Sequence, residues 1–175
     1  MQISPAHWHL LVNHFPIILV MTGALFFILG FIMKKPWLHN AALLLTILAA
    51  LAGFIANQTG EGAEESVEGI AGISEQSINI HENAASTGLT IILITGVLAV
   101  ITALVNMKNK KAGNIFMIIT LIATLGSSGY MGYVGLTGGE IRHSEIRGDF
   151  GRGGTADSGT TIRSGAEEEA GEDDD

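Results

Sequence analysis

The chain has 175 residues, of which 47% are hydrophobic and only 15% charged, with 23 Gly, 3 Pro and no Cys. That length suits one domain. The missing Cys excludes disulfides, thiolate metal centres, iron–sulfur clusters and covalently attached c-type haem. The net charge of −8 hides a pattern, since all five Lys fall in two short clusters and seven of the 17 acids occupy the last ten residues. No basic stripe exists to neutralise phosphates, so nucleic acid is excluded as a partner.

In chain order, the first apolar run is Phe15 to Met33, extended upstream by Leu10 to Val12. The second is Leu38 to Ala56, the third Gly88 to Met107 and the fourth Ala112 to Leu136. Each is close to the ~20 helical residues that cross ~30 Å of hydrocarbon. None contains Asp, Glu, Lys or Arg, and strand-like alternation is absent. Backbone in lipid must satisfy itself, so helices are the expected solution. The fold class predicted is all-α: a four-helix transmembrane bundle in a lipid bilayer, with spans at about 10–33, 38–56, 88–107 and 112–136. A secretory signal peptide is not expected, because the first 33 residues hold no Lys or Arg and the apolar run is too long.

Ser4 followed by Pro5 reads as an N-cap and first helical residue. Lys34 and Lys35 close helix 1, and Lys108, Lys110 and Lys111 fill the connection between helices 3 and 4. The 2–3 connection, Asn57 to Thr87, has no Lys or Arg and six Glu. By the positive-inside rule the lysine turns are cytoplasmic and both termini lie outside, in a multi-pass membrane protein. Arg142, Arg147, Arg152 and Arg163 on the outer side run against that rule. Glu61, Glu64, Glu65 and Glu68 share one side of a short surface helix expected in the 2–3 loop, with Ala63, Val67 and Ile70 on another. Small residues crowd helix 4 at Gly126, Ser128, Gly129, Gly132, Gly135 and Gly139, and a packed seam is the reading preferred to a dimerisation motif. Residues 1–150 form the transmembrane domain, and 151–175 read as a disordered acidic tail with little to bury.

Six His stand at positions 7, 9, 14, 39, 81 and 143, and on this topology only His39 lies on the lysine side. If helix 1 starts at Pro5, His7 and His14 share a face, while His9 points about 140° away from His14. His81, Ala85 and Gly88 share a face of helix 3, leaving space beside the imidazole. Glu140 and His143 form one Glu-x-x-His pair, where a carboxylate-bridged di-iron bundle needs two. A faint duplication relates TGEGAEES (Thr59 to Ser66) to TGGEIRHS (Thr137 to Ser144), with a His near the start of helices 1 and 3. Two hairpin copies about an axis along the membrane normal put helices 1 and 3 parallel and diagonal.

The string His9-x4-His14-Phe15-Pro16, with His81 and the GGEIRHSE segment after helix 4, resembles the domain-of-unknown-function 2231 family of small bacterial four-helix membrane proteins. The opening HWHLLVNHFP is similar to Bacteroidetes-type versions, and the resemblance covers roughly residues 1–150. The family's second His, near a Gly-Gly pair, corresponds to His143 after Gly138 and Gly139. This chain has Ile-Arg where the family tends to an apolar-aromatic stretch. The resemblance implies the four-helix membrane fold, in a bacterial inner (plasma) membrane, and brings no settled activity.

Three functional readings stay open. The first is b-type haem passing electrons at the outer side to membrane or periplasmic redox proteins, with His14 and His81 as ligands from diagonal helices. The second is a copper, zinc or iron site from His7, His9, His14, His81, His143, Glu82 and Glu140. The third is a structural or assembly subunit without a cofactor. No nucleophile elbow or HExxH motif suggests catalytic activity of its own.

Overall fold

The structure, a computed structural model, describes residues 4–67, 70 and 73–143. Five helices account for nearly all of them: α1 (Pro5–Val12), α2 (His14–Met33), α3 (Pro36–Val67), α4 (Glu75–Lys108) and α5 (Lys110–Arg142). With α1 and α2 taken together, four are long and apolar enough to cross a membrane.

The ends follow local chemistry. Ser4 Oγ accepts the His7 N–H at 3.3 Å, and Pro5 sits in the first turn. Between α1 and α2 the helix breaks at Asn13. Pro16 has no N–H to give the Val12 carbonyl one turn back, and its ring crowds that carbonyl, so the chain kinks there. At the other end α2 closes on Lys34 in the left-handed region (φ 54°, ψ 41°), with the Lys35 N–H returned to the Gly30 carbonyl. Pro36 then opens α3, a position its fixed φ suits. Asn109 alone joins α4 to α5, its Oδ1 accepting the N–H groups of Lys111 and Ala112 at 3.0 and 3.1 Å.

The apolar spans come out where the sequence puts them, but three helices run further. The acidic segment expected as a separate surface helix is helical as the last turns of α3, and α4 begins at Glu75, well before Gly88. The 32 residues of α3 measure about 48 Å. The hydrocarbon layer is ~30 Å. Because tight turns fix the lysine end, the surplus length projects at the opposite, histidine end. Glu68 and the tail expected over 151–175 lie outside the described residues.

Helix α2 packs on α3 and α5, and α4 on α3 and α5, so α2 and α4 are diagonal as the duplication implies. The kinked α1 leans mainly on α3. The interior is built of small and hydroxyl side chains around a few large ones: Val20, Phe27, Ala42, Ala49, Ile92 and Ala99 beside Thr46, Thr102, Thr120, Thr124 and Ser127. Leu, Ile, Phe and Met are instead exposed along every helix. That distribution is wrong for water and right for lipid, where close approach of small residues and hydroxyl contacts hold helices together. Thr95 with Ser127 (2.7 Å) and Thr102 with Thr120 (2.6 Å) bridge α4 and α5. The small residues of α5 divide. Ser128 donates to the Val20 carbonyl and Gly135 faces Ile17, whereas Gly126, Gly129 and Gly132 have open space beside them.

Candidate cofactor site

The histidine end gathers two imidazoles in matching surroundings. His9, on α1, brings Nδ1 to 3.1 Å from both the Ala56 carbonyl and Thr59 Oγ1 on α3. The Thr59 hydroxyl already donates to that same carbonyl at 2.8 Å. Both neighbours of His9 Nδ1 are therefore acceptors, and Nδ1 must carry the proton. His81, on α4, places Nδ1 3.1 Å from Thr137 Oγ1 on α5 and within reach of the Val134 carbonyl. Thr137 likewise donates to Val134, at 3.0 Å. In each ring the geometry leaves Nε2 as the unprotonated nitrogen, the state that binds a metal.

The two surroundings correspond residue for residue. His9 with Ala56, Thr59 and Gly60 parallels His81 with Val134, Thr137 and Gly138. A Cβ on Gly138 would meet His81 Cε1 at 3.0 Å, and one on Gly60 would meet His9 Cε1 at 3.7 Å. Glycine thus lets the His81 ring lie close against α5, whereas a methyl at position 60 would make only ordinary contact with the His9 ring. His9 on α1 and His81 on α4 lie within electrostatic reach of each other. Asn13, one turn along from His9, buries an Oδ1 that has no hydrogen-bond partner.

The other sequence candidates lie elsewhere. His7 and His14 do share a face, and that face is exposed; His14 Nδ1 reaches only the Leu10 carbonyl of its own helix, at 3.3 Å. The side 140° away, which carries His9, is the one that meets α3. His143 is exposed at the C-cap of α5, Glu82 is exposed on α4, and Glu140 is partly buried near the end of α5. Among the described residues no three His, Asp or Glu side chains converge in a group able to hold an ion. His39 sits at the lysine end, its ring centroid 4.5 Å from that of Phe31. The threonines and glycines that orient the rings were not expected as site residues, although the Thr-Gly pair common to the two repeats marked them.

Residues 5–145 match the model of the DUF2231 family, described as predicted membrane proteins. The chain belongs to the DUF2231 family. The match takes in every helix and both histidine–threonine pairs of this DUF2231 protein, and stops short of the acidic tail. No curated protein and no solved structure matches the chain.

Proposed function

We propose that this DUF2231 protein binds b-type haem at its histidine end and transfers electrons there, with Nε2 of His9 and Nε2 of His81 as the two protein ligands. The observation that carries the reading is the repeated orienting contact: each Nδ1–H is committed to a carbonyl and a threonine oxygen, which fixes the tautomer and frees Nε2. Metal-ligating histidines are held in this way, their second nitrogen donating to a carbonyl or another acceptor. His14 is exposed, so His9 takes its place beside His81 in this reading.

Haem is favoured over a bare ion by the count of ligands. A porphyrin supplies four nitrogens and leaves two positions to the protein, whereas zinc-type sites take three or four protein ligands. His7, His143, Glu82 and Glu140 do not assemble with the pair into such a group among the described residues. Bound haem would supply one-electron chemistry. The chain's own contribution is to hold each ring by its Nδ1–H and so leave each Nε2 unprotonated. Partners would be membrane or periplasmic redox proteins, and no catalytic step of its own is needed.

The histidine end is assigned to the outer side of the bacterial inner membrane, with both termini outside. All five Lys stand at the other end, and basic turns are retained in the cytoplasm.

The test is haem and metal content of detergent-purified protein from a haem-replete host. About one haem per chain is expected, lost or held only in a five-coordinate form in His9→Ala and in His81→Ala. Stoichiometric copper, zinc or iron without porphyrin would replace haem by a metal site, and neither would leave a structural subunit.

A further inference from the structure

At the lysine end, opposite the histidine pair, a cleft of about 570 Å³ opens between the two hairpins. Lys34, Lys110, His39 and Asn106 line it on the polar side, and Phe31 and Met117 on the apolar side. Lys34 and Lys110 come from the two different turns, so the cleft spans both halves of the duplicated fold. No Asp or Glu occurs anywhere in residues 1–60 or 83–139, so this end carries five Lys with no carboxylate in either hairpin turn. His39 adds an Nε2 that is buried against Gly30 and has no hydrogen-bond partner.

We infer that this cleft binds the phosphate headgroup of an anionic phospholipid. The cations ask for an anion, and the site sits where the apolar spans end, at headgroup depth. Its lining passes from two lysines to aromatic and aliphatic side chains, which matches the polar-to-apolar gradient of a lipid and not that of a free ion. Basic pockets between transmembrane helices take anionic headgroups by this combination of charge and apolar wall. Lys34 has a structural reason to be there as well: held in the left-handed cap, it projects from a fixed backbone instead of a flexible turn.

The experiment titrates the full-length detergent-purified protein with phosphatidylglycerol or phosphatidylcholine and counts bound lipid by native mass spectrometry. Phosphatidylglycerol is expected to bind at least roughly tenfold more tightly, since phosphatidylcholine offers the same phosphate with its charge cancelled. Lys34→Gln and Lys110→Gln should each weaken phosphatidylglycerol about fivefold and leave phosphatidylcholine unchanged. Lys35→Gln with Lys111→Gln, both outside the cleft lining, should leave the preference intact. Equal binding of the two lipids would overturn the inference. So would an equal loss in the Lys35 and Lys111 variant, which would mean diffuse surface charge. Full displacement of phosphatidylglycerol by millimolar inorganic phosphate would assign the cleft to a soluble anion and overturn the lipid.

Discussion

A histidine in a helical bundle offers a ligand atom only when its other nitrogen is anchored, and here Thr59 and Thr137 provide the anchors. Each hydroxyl gives its proton to the carbonyl three residues back and so presents only lone pairs to the imidazole. Thr59→Val and Thr137→Val keep shape and remove that acceptor. Loss of an outer-shell contact of this kind costs about 10–100-fold in affinity. Haem titration of the two variants should show a weakening in that range, while His39→Ala and His14→Ala retain wild-type affinity. Gly138→Ala should act through the same ring, because the added methyl meets His81 Cε1 at 3.0 Å. At this scale the sequence shows which residue types crowd the outer end, but not which way they turn. The 140° between His9 and His14 is plain from helical periodicity. Which of the two faces inward depends on where α3 lies, and no local pattern in helix 1 records that.

The kink is the element that aims His9. Residue 16 gives no bond to the Val12 carbonyl, and α1, set off from α2 at Asn13, rests on the end of α3. Pro16→Ala restores the missing donor and should straighten the helix, drawing His9 away from Ala56 and Thr59. The expected result is a folded protein of unchanged helix content that has lost most of its haem. The α3–α4 contact makes a separate prediction. A Cβ on Gly96 would stand 2.5 Å from the Ala50 Cβ, so Gly96→Val has to part the two helices. Overpacking of this kind costs about 1–3 kcal/mol. Unfolding in detergent should show that loss, whereas Gly129→Ala, with open space beside it, should be neutral. The apolar runs located all four spans because hydrocarbon thickness imposes a length on them. Their extensions past Ala56, before Gly88 and past Leu136 are polar and carry no such constraint, so composition alone stopped short of the true ends of α3, α4 and α5.

For the whole molecule, two hairpins repeat one design, with a histidine on the first helix and a Thr-Gly step on the second. The repeat was legible as Thr59 aligned with Thr137, and the bundle gives that alignment a physical content as two equivalent ring supports. Charge is divided between the ends, lysines at one and glutamates with histidines at the other, so the molecule is polar along its long axis. Single cysteines make the orientation measurable, since the natural chain has none. A membrane-impermeant thiol reagent on intact cells should label Ser66→Cys and spare Lys35→Cys, and the reverse would invert the molecule.

One haem held jointly by the two half-sites has a direct signature in the visible spectrum. The protein purified from a haem-replete host is recorded oxidised and then dithionite-reduced, beside His9→Ala and His14→Ala. A Soret band and sharp reduced α and β bands are expected in the wild type and in His14→Ala, absent or shifted to a five-coordinate form in His9→Ala. A featureless wild-type spectrum, or six-coordinate bands that survive in His9→Ala and vanish in His14→Ala, would rule out a haem held by His9 and His81.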